Sequence, residues 1–254
     1  MKTIQLSTSK LVCGYSLQKP LFKPLDLTLA AGEITAIMGG NGQGKTTLMQ
    51  TLLGGLSPIS GKITRYGKVG FVPQKFHSPF PYQVLDIVLM GRANQIGLFS
   101  MPSKQDKYLA HHALTQLQID HLAKRPFDQL SGGQQQLVLI ARALVSECQV
   151  LILDEPVTAL DLAHQSTVLN LLKSLATDQN MSILFSTHEP THAQLIAQHS
   201  LLLMGDGLSL YGPNHDVLNE TNLSRLYGVP IHTCKLNREH LQYTTFIPVL
   251  TTSQ

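Results

Sequence analysis

Gly39-Gly40-Asn41-Gly42-Gln43-Gly44-Lys45-Thr46 satisfies the pattern G-x-x-x-x-G-K-[ST] at every fixed position, and its flanks decide what it is. Ahead of it runs Ile34-Thr35-Ala36-Ile37-Met38, an apolar stretch of the kind that forms a buried strand. Behind it Thr47-Leu48-Met49-Gln50-Thr51-Leu52-Leu53 reads as a helix. A glycine-rich turn in that setting is a phosphate loop. Gly39, Gly40, Gly42 and Gly44 allow several backbone N–H groups to converge on one anion at a helix N-terminus. Lys45 is then expected to reach the β and γ phosphates of a nucleotide, and the Thr46 hydroxyl to hold Mg²⁺. A glycine-rich turn that binds nothing would leave the Lys-Thr pair at the helix start without a purpose.

The chain around this loop is ordinary in composition. It has 254 residues, 43% hydrophobic, enough for one large core or a main body with a smaller lobe. Mean hydropathy is +0.05, and no run of about 18 apolar residues suggests a membrane span. The N-terminal residues lack the charged and then apolar pattern of a signal segment, which predicts a cytoplasmic location. Cys13, Cys148 and Cys234 are widely spaced and odd in number, so reduced thiols are expected in place of a disulfide framework or zinc site. A net charge of +3 with 14% charged residues and no basic block argues against a nucleic-acid partner.

Ile4-Gln5-Leu6 and Leu25-Asp26-Leu27-Thr28-Leu29 alternate apolar and polar, as half-exposed antiparallel strands do. Between them Tyr15 stands ahead of the phosphate loop, where it could stack on an adenine ring or pack on its own sheet. Val69-Gly70-Phe71-Val72-Pro73-Gln74 predicts a strand ending at Gln74, and residues 75–81, rich in Pro, Phe and Ser, suit a hinge. Helical patterns follow at 84–90, 105–117 and 133–145, so that residues of about 76–146 read as a helical lobe inserted into an α/β body. Val150-Leu151-Ile152-Leu153 predicts a central parallel strand ending in Asp154-Glu155, at the carboxyl edge where open α/β sheets bind ligands. A helix is expected over 162–175, a further buried strand over 182–186 ending at Thr187-His188, and a hairpin around Gly205-Asp206-Gly207. Past Pro230 the pattern assigns little.

His188-Glu189-Pro190-Thr191-His192 matches H-E-x-x-H, the zinc protease pattern, which needs both histidines one turn apart on a single helix face. Proline is tolerated only in the first turn of a helix. A helix starting at Pro190 leaves His188 outside it, and the zinc reading fails. The adjacent His111-His112 sits in a helical pattern without a second cluster and reads as a solvated face.

Leu130-Ser131-Gly132-Gly133-Gln134 adds a second turn of anion-binding type, Ser and two glycines at a helix start, although alone it could be a simple helix cap. In company with the phosphate loop and Asp154-Glu155, it resembles the signature of the ATP-binding cassette family of transporter ATPases. The resemblance covers nearly the whole chain, with motifs in the family's order and spacing. It implies an α/β P-loop core with a mixed central sheet, an N-terminal antiparallel β subdomain and an inserted α-helical subdomain. One ATPase domain would span 1–254: a catalytic core over 1–75 and 147–230, the helical signature subdomain over 76–146, and a C-terminal extension of uncertain structure over 231–254.

Carried over residue by residue, the resemblance makes Tyr15 the adenine-stacking aromatic. Gly39, Gly40, Asn41, Gly42, Gln43, Gly44, Lys45, Thr46 and Thr47 become the Walker A nucleotide cradle. Gln74 becomes the glutamine that contacts Mg²⁺ or the attacking water and reports to the membrane subunit. Asp154 would hold Mg²⁺ through water, Glu155 would act as general base or orient the water, and His188 would be the switch histidine near the γ-phosphate. Ala159-Leu160-Asp161 matches the D-loop, and Ser131, Gly132, Gly133 and Gln134 would face a nucleotide on another chain. Such an inventory suits phosphoryl transfer, which rests mostly on positioning and charge stabilisation. The chain departs from the family pattern at Gly40, Val157, Gln135 and Gln136, none of which removes a catalytic group.

Asp86-Ile87-Val88-Leu89-Met90-Gly91-Arg92, Gly97-Leu98-Phe99, Asp106 and Leu226-Tyr227-Gly228-Val229 are similar to ATPases of type II importers, which take up iron siderophores, haem, vitamin B12 or oxyanions such as molybdate. The implied cofactors are ATP and Mg²⁺. The implied partners are a second copy in an ATP-sandwich homodimer, two transmembrane permease subunits and, indirectly, a periplasmic binding protein, with the ATPase peripheral on the cytoplasmic face of the cell membrane. The alternative is a soluble cassette ATPase of translation or DNA maintenance. Such proteins carry two cassettes or a long coiled-coil arm, and only about 85 residues separate Lys45 from Ser131.

Overall fold

The computed structural model describes residues 2–16, 19–77, 80–96, 100–238 and 241–249. The N-terminal alternation folds as β1 (Ile4–Val12) and β2 (Thr28–Ala30), and β4 (Ser60–Arg65) completes an antiparallel sheet in the order β2-β1-β4. Between β2 and β4 the chain forms β3 (Ile34–Gly39) and α1 (Lys45–Leu53). Strand β5 (Val69–Val72) stops two residues short of Gln74, because Pro73 has no N–H for the ladder.

The helical lobe follows as α2 (Val84–Leu89), α3 (Lys104–Gln116) and α4 (Gly132–Leu144). The chain then returns as β6 (Val150–Leu153), α5 (Leu162–Gln179), β7 (Ser182–Ser186), α6 (Pro190–Ile196), β8 (His199–Leu203) and β9 (Ser209–Pro213). Helix α5 runs a turn beyond the sequence expectation and ends where Asn180 takes the left-handed conformation, φ 56°. Two short helices, α7 (Asn214–Val217) and α8 (Glu220–Tyr227), lead into β10 (Ile231–Arg238) and β11 (Leu241–Pro248), an antiparallel pair in the segment where the sequence pattern had shown little. The Gly97-Leu98-Phe99 segment lies outside the described residues.

The main sheet has the order β5-β6-β7-β3-β8-β9, parallel throughout except for β9, which pairs antiparallel with β8. Strand β3 is fully buried between β7 and β8, so the phosphate loop leaves the sheet at its centre. Alternation of side chains across these strands divides the core. Ile37, Ile152, Leu184 and Leu201 face α1 and the antiparallel sheet, while Met38, Leu151, Leu153, Ile183 and Phe185 face the opposite layer and join the helical lobe in one cluster. The mixed sheet, antiparallel β subdomain and helical insert make a P-loop ATPase fold. Among the described residues no helix is long and apolar enough to cross a membrane.

Candidate active site

The P-loop turns into α1 through Gly44, whose φ of 95° is closed to most side chains and whose missing Cβ would stand 3.0 Å from Leu21 Cδ1. This turn aims the N-terminus of α1 into a cavity of about 560 Å³, within the roughly 300–1,000 Å³ typical of small-molecule sites. Gly40, Asn41, Gly42, Gly44, Lys45, Thr46 and Thr47 line its floor, with Tyr15, Leu21, Gln74, Glu155, Thr158 and His188 around it. Gly39 and Gln43, although part of the loop, do not line the cavity. Tyr15 is 80% exposed, its hydroxyl accepting from Thr47 Oγ1 at 3.2 Å, so its ring is an apolar plane open to solvent above the loop.

Lys45 is itself buried, and its Nζ donates to the carbonyls of Gly39 (2.7 Å) and Gly40 (3.2 Å). Burial pulls the ammonium below the usual lysine range, while the Glu155 and Asp154 carboxylates act in the opposite direction. Thr46 Oγ1 donates to Asp154 Oδ2 at 2.9 Å. The other carboxylate oxygen, Oδ1, accepts from Ser186 Oγ at 2.7 Å, and the same Ser186 oxygen accepts from the Glu155 N–H at 2.7 Å. Thr46 hydroxyl, Asp154 carboxylate and the Gln74 amide are hard oxygen donors of the type Mg²⁺ takes, so the residues present fit that ion.

Glu155 begins the turn after β6 with φ 48°, a left-handed conformation costly for a residue with a side chain. Its side chain is 9% exposed, with Oε2 accepting from Gln74 Nε2 at 2.8 Å and Oε1 lying 2.6 Å from His188 Nε2. Strand ends bring these three together: Gln74 follows β5, Glu155 follows β6 and His188 follows β7, adjacent strands in parallel register. Pro190 opens α6, leaving His188 outside the helix, and His192 Nδ1 lies 3.2 Å from Thr187 Oγ1.

Ser131, Gly133, Gln134 and Asp161 do not line the P-loop cavity. Ser131 caps α4, with Gln134 N–H donating to Ser131 Oγ (3.3 Å) and Ser131 N–H to Gln134 Oε1 (3.2 Å). Gly132 borders a second cleft of about 480 Å³, which Gln74 and Glu155 also border. Across that cleft Phe76 packs edge-on to Phe127, centroids 5.6 Å apart, beneath the Arg142 guanidinium at 4.6 Å. These contacts tie the segment after Gln74 to the helical lobe. Under the signature turn a Cβ on Gly133 would strike the His164 ring at 2.2 Å, and that ring is held by Asp161 at 2.8 Å. D-loop and signature turn of one chain therefore touch each other.

The sequence model of the ABC transporter family matches residues 22–158. A molybdate import ATP-binding protein, MolC, of Haemophilus influenzae is 46% identical over 97% of each chain. The chain belongs to the ABC transporter family.

A manganese transport system ATP-binding protein of Bacillus subtilis is 37% identical to this ABC ATPase over 83% of this chain and 88% of its own. A solved structure described as an inward-facing metal-chelate type ABC transporter superposes with a TM-score of 0.94 at 45% identity, covering 98% of both chains. Members of the family bind and hydrolyse ATP, and so does this ABC ATPase. Its departure at Gly40 is structurally mild, because a Cβ there would meet the Gln43 side chain at Cγ, 3.5 Å, and Nε2, 3.9 Å, both ordinary contacts. Motif reading passes over Leu21 and Thr158 in the cavity wall, and over Ser186 behind the two carboxyl-bearing residues. The only signal of Ser186 in the sequence is a polar residue closing the strand that began Ser182-Ile183-Leu184-Phe185.

Proposed function

We propose that this ABC ATPase energises uptake of a metal, metal chelate or oxyanion through two partner membrane subunits. It would act as a homodimer with each nucleotide between the P-loop of one chain and Ser131, Gly132, Gly133 and Gln134 of the other. The observation that carries this reading is the placement of Glu155. Its carboxylate sits between Gln74 and His188 at the wall of its own P-loop cavity, while the signature turn of the same chain stays off that cavity.

In this reading the P-loop N–H groups and Lys45 bind the phosphates, and Tyr15 stacks on the adenine. Thr46 and Asp154 would hold Mg²⁺, with Gln74 as a further oxygen donor; the ion, when bound, neutralises charge on the phosphate oxygens. Glu155 orients the attacking water and accepts its proton. His188 keeps the Glu155 carboxylate in place and faces the same cavity. Asp161 N-caps α5 through His164 N–H, at 2.9 Å, and sets the D-loop beside the signature turn.

The partner helix of the membrane subunit would enter a groove of about 440 Å³ bordered by Asp86, Leu89, Met90, Ala93, Ile96, Ser100 and Pro102. A binding protein on the far side of the membrane would deliver the substrate, and the ATPase would be peripheral on the cytoplasmic face. The similarity to molybdate, manganese and metal-chelate systems supports this class of cargo.

Glu155→Gln tests the chemistry. It keeps the shape and removes the proton acceptor, so steady-state hydrolysis should fall by about 10²–10⁴-fold, with ATP binding retained in a fluorescence titration. Hydrolysis at the wild-type rate would overturn the role of Glu155.

A further inference from the structure

Leu226-Tyr227-Gly228-Val229 resembles one importer group, yet none of the roles assigned above uses it. The structure places Tyr227 as the last residue of α8, where Gly228 ends the helix at φ 70°. Its hydroxyl donates to the backbone carbonyl of His188 at 2.8 Å, across 39 residues of sequence. Two hydrogen bonds therefore lead from α8 to the catalytic carboxylate, Tyr227 to the His188 backbone and His188 Nε2 to Glu155 Oε1 at 2.6 Å.

The backbone ahead of His188 is tied to β3, the Thr187 N–H donating to the Ile37 carbonyl at 3.0 Å. His188 lies between the end of β7 and the start of α6, and Glu189, the N-cap of α6, makes no side-chain cap bond. Glu189 N–H reaches Thr187 Oγ1 at 3.0 Å, and the His188 carbonyl is held by Tyr227. Helix α8 is in turn fixed from outside. Ile231 N–H donates to Ser224 Oγ at 2.8 Å, Thr233 N–H donates to Glu220 Oε1 at 2.6 Å, and Arg225 pairs with Asp206 in the β8–β9 turn. The hairpin formed by β10 and β11 also reaches α6, with Thr191 and Thr245 hydroxyls 3.2 Å apart. Burial, reinforced by the nearby Glu189 carboxylate, pushes the Tyr227 hydroxyl above the usual tyrosine range, so it remains a donor.

We infer that Tyr227 is a positioning residue for ATP hydrolysis: it anchors the His188 backbone so that the imidazole stays aimed at Glu155, and it thereby makes the C-terminal segment part of the catalytic machinery. The inference rests on the role proposed for His188. A histidine held by its side chain alone could swing away from Glu155, whereas a second tie through the carbonyl fixes the ring's origin.

The test is Tyr227→Phe in the full-length chain, which keeps the ring and removes one donor. From the usual net worth of a hydrogen bond, kcat should fall about three- to tenfold, with the KM for ATP little changed and the unfolding midpoint lowered by no more than the loss of one hydrogen bond. In a His188→Ala background, read by single-turnover hydrolysis, the same substitution should have no further effect, because the group being positioned is gone. A wild-type kcat for Tyr227→Phe, or an equal fold-loss in both backgrounds, would overturn the inference while leaving the site reading intact. A wild-type rate for His188→Ala alone would instead overturn the role of His188 and the inference with it.

Discussion

Ser186 is fully buried and its hydroxyl does two jobs, donating to Asp154 Oδ1 and accepting from the Glu155 N–H. Removing the oxygen would leave a buried carboxylate short of a donor and a buried N–H without an acceptor. A buried group left unsatisfied costs about 1–3 kcal/mol, so Ser186→Ala should lower the free energy of unfolding by roughly that amount in urea denaturation. Hydrolysis should fall with it, since the Asp154 carboxylate loses a donor and the Glu155 backbone loses the acceptor that helps hold its turn. Unchanged stability would mean that water replaces the hydroxyl. Glu155 shows the same economy at the backbone, where a left-handed φ of 48° turns the side chain back between Gln74 and His188.

At the scale of elements, the helical lobe depends on a buried ion pair that ordinary motif reading underrates. Arg92 Nε donates to Asp106 Oδ1 at 2.5 Å, and its Nη1 to the carbonyl of Val145 at 3.1 Å, linking α3 to the end of α4. Asp106 also closes the capping box of α3 with Ser103. Hydrogen bonds from Ser103 and then Arg92 pull its carboxyl from 3.8 down to about 2. A carboxyl lowered by folding stabilises the protein fully above its unfolded value, and that contribution is lost as pH falls toward the folded value. The thermal midpoint of the wild type should therefore drop between pH 3.8 and about 2. Asp106→Asn, already lacking the charge, should be less stable at neutral pH, and its curve should meet the wild-type curve in that window. Parallel curves would show that the pair contributes nothing.

For the whole molecule, the decisive geometry is the separation of two glycine-containing turns at helix starts, the P-loop and the turn at Ser131 to Gln134. The P-loop opens into a cavity that Ser131, Gly133 and Gln134 do not border, and the contacts of Gly133 with His164 keep the signature turn against its own D-loop. A site completed by a second chain predicts complementation. Lys45→Ala and Ser131→Arg chains should each be inactive alone. Mixed, they should regain hydrolysis, because one of the two composite sites then has an intact Lys45 facing an intact Ser131. Mixtures as inactive as the separate chains would refute a shared site. The Phe76 contacts with Phe127 and Arg142 join the segment after Gln74 to the helical lobe.

The strands and helices of the core were legible in the residues themselves because their signals are local. Short β-branched and apolar runs such as Val150-Leu151-Ile152-Leu153 suit a strand buried on both faces, and Ser131 and Pro190 mark helix starts, one by its capping hydroxyl and the other by its fixed φ and missing N–H. The family followed from glycine-rich turns at set distances, since such turns must be spelled out in sequence to form at all. What sequence left open was decided by contacts between distant segments. The β10–β11 segment carries no Gly or Pro turn signal between its strands and gains its place by packing on α6 and α8. Ser186 and Tyr227 look like any polar strand end and any helical tyrosine. Only the parallel register of β6 with β7, and the docking of α8 beside the end of β7, bring one hydroxyl to Asp154 and the other to His188.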